Sequence, residues 1–183
     1  MEQKPFAIGV RVEHLQDMIN KSQYGVDDCE GLPAAPYKLT YNTKSKRGVY
    51  SFCMCPGGYV VNASSEPEML AVNGMSYQAR DSRNANSALI VSVTPADFPE
   101  EGPLGGVAFQ RNLERAAWKA GNGKVPVQLF EDYQKHKPST RLKDVEPCIK
   151  GACVPGDVRS IFPKEIGDSI EEGVLALEKN QRL

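Results

Sequence analysis

An α+β fold, with a mixed or barrel-like β-sheet in the first half and a helical segment in the second, follows from three observations on this 183-residue chain. Short runs rich in β-branched and aromatic residues recur between Phe6 and Val93, each bounded by Gly, Pro, Asn or charged residues. From Gly106 the apolar period changes to three and four residues, the spacing of one helix face. A second stripe with that period closes the chain. The length suits one domain, 1–183, with a β-rich part over 1–94 and a mainly helical part over 95–183.

Taken in order, Phe6 to Glu13 mixes β-branched and apolar residues without helical period and reads as a strand. In "LQDMINKSQYG" Leu15, Met18 and Ile19 share a helix face and Gly25 supplies the stop. Val26 to Pro36 is a Gly- and Pro-rich loop. "YKLTYN", the basic turn "TKSKRG" and "VYSFCMC" read as a hairpin whose turn cations need only solvent. Gly58 to Ser64, Met69 to Arg80 and Ser87 to Val93 continue as strands, spaced as in a meander or partly closed barrel. Phe109, Leu113, Ala116, Ala117 and Ala120 mark a helix that "GNG" ends at 121–123. "VPVQLFEDYQKHK" reads as an extended piece entering a helix, and Pro138 to Pro155 as a polar excursion. Ile166, Ile170, Val174 and Leu177 form the terminal stripe; Pro163 suits its first turn, and Glu165 early and Lys179 late match the helix dipole.

Composition excludes several classes of function. Lys plus Arg number 22 against 23 Asp plus Glu, a net charge of −1 that gathers neither nucleic acid nor anionic lipid. No apolar run approaches the roughly 18 residues that cross a bilayer, and the first residues carry no secretory pattern. A cytoplasmic setting is expected, with the five cysteines, at 29, 53, 55, 148 and 153, held as thiols. The chain opens almost at once on a strand and closes on a helix, as a piece of a longer protein would.

Chemistry concentrates in "RGVYSFCMCPGGYVVNAS", residues 47–64. On a regular strand Cys53 and Cys55 project to one face and Met54 to the other. With only His14 and His136 to add, their spacing matches no zinc knuckle, so no metal is expected. A redox pair lacks the helix N-terminus that lowers a thiol pKa. Two small apolar residues on a strand remain the plain reading. Arg11, Glu13 and His14 could orient a polar ligand, or Arg11 and Glu13 could form an exposed ion pair. Asn73-Gly74 is a turn dipeptide whose small residues also admit close backbone approach. Asn84, Asn86 and Ser87 offer amide and hydroxyl groups before an apolar strand. Neither a Walker loop nor a Gly-x-Gly-x-x-Gly after a strand occurs, so the chain carries no dinucleotide fingerprint.

In order, "GVRVEH", "QYG", "LPAAPYKLTY", "RGVYSFCMCPGGYVV", "ASSE", "VNGMS", Arg83 and "NANSALIVSV" resemble a family of FAD-dependent dehydrogenases, also labelled NAD(FAD)-utilizing dehydrogenases. The resemblance is strong over 6–94 and extends through "PLGGVAFQRNLERAAWKAGNGKVPVQ" to the terminal helix. It implies a middle domain, the substrate or cap domain of an oxidoreductase, that interrupts a split FAD-binding domain and faces the flavin with its sheet. FAD would belong to the parent and not be retained by this piece, with NAD(P) as a candidate second cofactor. The implied partners are the flavin-binding domain of the same polypeptide and a small-molecule substrate, without nucleic acid or membrane. Arg11 and His14 are then the expected polar substrate contacts. Cys53, Cys55, Gly57, Asn73, Ser76, Asn84 and Asn86 are the expected pocket residues. For the cysteines, a pocket-lining strand ranks before a flavin-linked thiol. A non-catalytic module binding a small ligand or a protein is the alternative.

Overall fold

The computed structural model describes residues 2–143 and 145–181. Its strands are β1 (Phe6–Leu15), β2 (Thr40–Asn42), β3 (Gly48–Cys55), β4 (Tyr59–Asn62), β5 (Val72–Met75), β6 (Asn84–Val93), β7 (Val125–Val127), β8 (Ile149–Lys150) and β9 (Cys153–Pro155). The α-helices are α1 (Gln16–Tyr24), α2 (Gly105–Ala120), α3 (Phe130–Gln134) and α4 (Lys164–Gln181). The α+β expectation holds, but the sheets are open. A four-stranded antiparallel sheet has the order β1-β6-β3-β2, and a mixed three-stranded sheet the order β5-β4-β8. This replaces the expected meander or barrel, because β1 pairs with β6 along its whole length, from Phe6↔Val93 to Leu15↔Asn84.

Residues directly opposite on paired strands point to the same face. Phe6, Ile8, Val10 and Val12 therefore join Leu89, Val91, Val93 and Val49 on one face of the large sheet. There they pack with Phe109 and Leu113 of α2 and Ile166, Ile170 and Val174 of α4 in the main core. Leu177, expected on the same stripe, lies outside the residues whose side chains are described. The rings of Phe6, Phe98 and Phe109 close one end, with centroids 5.3 to 6.5 Å apart. Only Ile19 of the stripe expected on α1 is buried, in a second cluster with Ala35 and Ala85. Leu15 ends β1 instead of starting the helix, so it and Met18 remain exposed.

The second half carries the expected helices and, besides them, three short strands among the described residues. Within the supposed polar excursion, β8 adds to β4 in parallel and β9 pairs with β7. These strands are only two and three residues long, too short for periodicity to register. Asn73-Gly74 lies inside β5 and is no turn. The basic turn is also more than solvated. The Lys44 N–H donates to Glu172 Oε1 of α4 at 2.9 Å, and Tyr41 OH donates to the same oxygen at 3.0 Å.

Arg47 forms a forked pair with Asp97, Nη1 to Oδ2 at 3.0 Å and Nη2 to Oδ1 at 2.5 Å. The hydrogen bond from Arg47 is the main reason the Asp97 carboxyl sits below its ordinary value of 3.8. A depressed folded-state pKa contributes stability that is complete above the unfolded value and is lost as pH falls through the folded one. Asp97→Asn is thus expected to destabilise the protein at neutral pH, with the gap to wild type closing as pH drops below about 4. Urea titrations across that window check it, and a gap independent of pH would count against the ion pair.

Candidate functional site

Strand β3 loses register beside β6: Phe52 faces Ala88, but the next paired residue is Cys55, facing Asn86. One extra residue on β3 makes a bulge, and Cys53 absorbs it in the left-handed region at φ 44°. The expected alternation is therefore broken. Met54 packs with the cluster under α1, Cys55 faces Asn86, and the Cys53 thiol is exposed at the bulge. The two sulfurs make no mutual contact; the Cys55 thiol instead donates to the Cys53 carbonyl at 3.3 Å.

That carbonyl is also what Arg11 holds. Its Nη1 and Nη2 donate to Cys53 O at 3.1 and 2.7 Å, and Nη2 lies 3.9 Å from Cys55 Sγ. Charge-assisted bonds of this kind are about twice as strong as neutral ones. Glu13 has separate work: its Oε1 accepts the Cys148 N–H at 2.9 Å and Asn84 Nδ2 at 3.2 Å. The segment at Cys148 is thereby tied to the sheet.

The turn Pro56-Gly57-Gly58 is buried and held on every side. The Gly57 N–H donates to Gln16 Oε1 at 2.6 Å, Ser82 N–H to Gly57 O at 3.2 Å, and Ser76 Oγ to Pro56 O at 2.8 Å. Gly57 has φ 49°, and a Cβ there would lie 1.8 Å from the Arg80 carbonyl oxygen. At Gly58 a Cβ would come within 2.6 Å of Met75 O. At Gly74 it would come within 2.2 Å of Arg11 Nη2 and 2.4 Å of Asn86 Oδ1. Three glycines thus let the small sheet press onto one end of the large one.

Between the sheets Asn86 is fully buried, and neither Nδ2 nor Oδ1 has a partner among the described residues. Such an amide costs about 1–3 kcal/mol relative to a satisfied one, a cost retained where a site requires it. Asn84 is satisfied, with Nδ2 also donating to Glu146 O at 3.0 Å. Asn73 is exposed, and its Oδ1 accepts the Gly74 N–H at 2.8 Å.

His14 lies apart from Arg11, on the helix-covered face of β1. Its Nε2 is 3.1 Å from Tyr37 OH, and burial lowers its pKa, so the ring is neutral at pH 7. Burial also pushes Tyr37 up to about 12, against the lowering effects of a Ser87 hydrogen bond and the Arg11 charge.

Two open clefts border the turn. One, about 400 Å³, includes Tyr59, Ser82, Arg83, Cys148 and Lys150; the other, about 490 Å³, includes Pro33, Ser76, Tyr77 and Arg80. Lys150 Nζ stands 4.0 Å over the Tyr59 ring. Elsewhere His136, Asp168 and Glu171 gather metal-type donors, but Arg159 already bonds Asp168 at 2.5 Å and Glu171 at 2.8 Å.

Sequence reasoning missed Gln16 and Tyr37. Gln16 bonds Gly57, Asn20 and the Ala35 carbonyl, yet a polar residue opening a helix reads as solvent-facing. "PGG" and "NG" did signal close backbone approach, but not which neighbours approach.

Residues 5–183 match the family model described as FAD-dependent protein, C-terminal domain-like. An "Uncharacterized protein" of Clostridium beijerinckii is 49% identical over 183 residues, covering 98% of this chain and 34% of that relative. The chain spans about a third of the relative's length.

Proposed function

Because this chain belongs to the family FAD-dependent protein, C-terminal domain-like, we propose that it is the substrate or cap domain of an FAD-dependent oxidoreductase. In this reading it walls one side of a flavin that the rest of the parent polypeptide holds. The observation that carries it is the rim at Cys53–Gly58: an exposed thiol on a bulge, a guanidinium clamped to the bulge carbonyl, and an orphaned amide directly behind. Arg11, Cys53, Cys55, Gly57, Ser76 and Asn86 belong to this wall, with Asn73 at its outer edge. His14 is left out, since it faces the helices.

The residues present do not fit a whole dinucleotide. Gly-rich phosphate loop and helix are lacking in the sequence, and both clefts are open and small beside such a ligand. When bound in the parent, the flavin would supply the electron transfer. This chain's own part would be to orient a polar substrate with the Arg11 charge and to exclude water with a backbone locked by glycine packing. The domain stands, in our reading, between the two halves of the flavin-binding fold.

The test uses the full-length parent with its FAD. Arg11→Ala frees the bulge, so iodide quenching of flavin fluorescence is expected to rise severalfold and the flavin absorption band to move, at unchanged FAD content. Identical quenching and an identical spectrum would remove Arg11 and the bulge from the flavin's surroundings.

A further inference from the structure

The second face of the large sheet is unlike the first. Opposite one another across it stand Tyr50, Ile90 and Gly9, and one rung further Phe52, Ala88 and Arg11. Tyr50, Phe52, Ala88 and Ile90 belong to none of the three apolar clusters formed among the described residues. Phe52 is 57% exposed. Strand β5 crosses this face at Arg11 and Asn86, where Gly74 admits it, and Tyr50, Ala88 and Ile90 are half-buried beside the exposed Phe52. Antiparallel sheets with one wet face normally place polar residues there, in strict alternation. Here two aromatic rings and an isoleucine occupy the rungs, a composition that marks a contact surface.

We propose that this face, centred on Phe52, Tyr50 and Ile90, is the seat of the flavin-binding remainder of the parent polypeptide. The proposal rests on the cap-domain reading above and adds to it the surface by which the cap is held. Two facts choose this occupant over a second copy of the chain. A relative 49% identical is about three times as long, so a covalently attached partner of twice this domain's size is at hand. The apolar face also runs without interruption into the candidate site: Phe52 adjoins Cys53, and Arg11 shares its rung while holding the Cys53 carbonyl. A body seated on Tyr50 and Phe52 therefore abuts the thiol rim. An attached partner needs little affinity per unit area, because the linkage raises its effective concentration.

Hydroxyl-radical footprinting of the full-length parent reads this directly. Leu104, 67% exposed before α2 on the helix-covered side, serves as the reference. Corrected for intrinsic reactivity, Phe52 is expected to be oxidised about fivefold less than Leu104, at all protein concentrations, as a dry contact requires. In Phe52→Asp the half-buried Tyr50 is expected to be oxidised severalfold faster than in the wild-type parent. Oxidation of Phe52 at the rate of Leu104 would overturn the proposal, and so would protection lost on dilution together with a dimer in light scattering, which would identify a second copy. The two readings fail separately. Protected Phe52 with a flavin indifferent to Arg11→Ala keeps the docking face and removes the wall; a responsive flavin with a freely oxidised Phe52 does the reverse.

Discussion

Gly57→Ala is expected to lower the melting temperature by roughly 6–12 °C, the shift that about 3 kcal/mol produces in a domain of this length. Two penalties add at this residue. Its φ of 49° disfavours any side chain by about 1–2 kcal/mol, and the new Cβ would lie 1.8 Å from the Arg80 carbonyl oxygen. Neither atom belongs to a side chain that could rotate away, so the turn itself must move. Movement breaks the 2.6 Å bond from Gly57 N–H to the buried Gln16 amide and the bond from Ser82 to Gly57 O. Gly31→Ala separates the two penalties. Gly31 also has positive φ, 78°, but nothing lies within 4 Å of its Cβ position, so only the conformational cost of about 1 kcal/mol is expected there. Thermal melts of the two variants side by side decide the matter. Equal losses would mean that the Arg80 contact is relieved without cost.

Ile170→Ala removes a side chain 2% exposed at the centre of the main core, between α4 and the sheet. The expected loss is about 2–5 kcal/mol, made up of the transfer of three carbons and the cavity they leave. The upper part of that range is favoured by the packing around it. At Gly173, one turn along α4, a Cβ would meet Val49 Cγ1 at 2.5 Å, so the helix already rides as close to the sheet as it can. Further collapse to fill the cavity is blocked. Leu104→Ala, at an exposed position, is expected to change stability by no more than about 0.5 kcal/mol. Urea midpoints at unchanged slope measure both, and an Ile170→Ala midpoint near wild type would show that α4 is not a structural wall.

How far the sequence alone led depended on the range of the interactions involved. Helices α2 and α4 were legible because each carries an apolar stripe at helical period, from Phe109 and from Ile166. Strands β1, β3 and β6 were legible because β-branched runs are long there. Pairing was not, since nothing local says that Arg11 stands beside Ala88 or that Val60 pairs with Ile149. At the site, strict alternation put Met54 opposite Cys55, and so it lies, but a bulge with one residue at φ 44° sets Cys55 on the same face as Phe52, which alternation does not allow. It read Asn73-Gly74 as a turn because that dipeptide suits one. In the fold the glycine is needed for a different reason, the space taken by Arg11 and Asn86. Residue types were informative at each of these positions, whereas partners across sheets were not.

The strand order β1-β6-β3-β2 also bears on how a nascent chain acquires this shape. The first strand finds its partner only after the fifth has been made, and the fourth is joined by the eighth only after α2 and α3 have followed. Ring closure on that scale precedes any gain from contact, which slows folding. During synthesis the aromatic strand bearing Tyr50 and Phe52 leaves the ribosome well before β6 can cover its edge, a natural interval for chaperone capture.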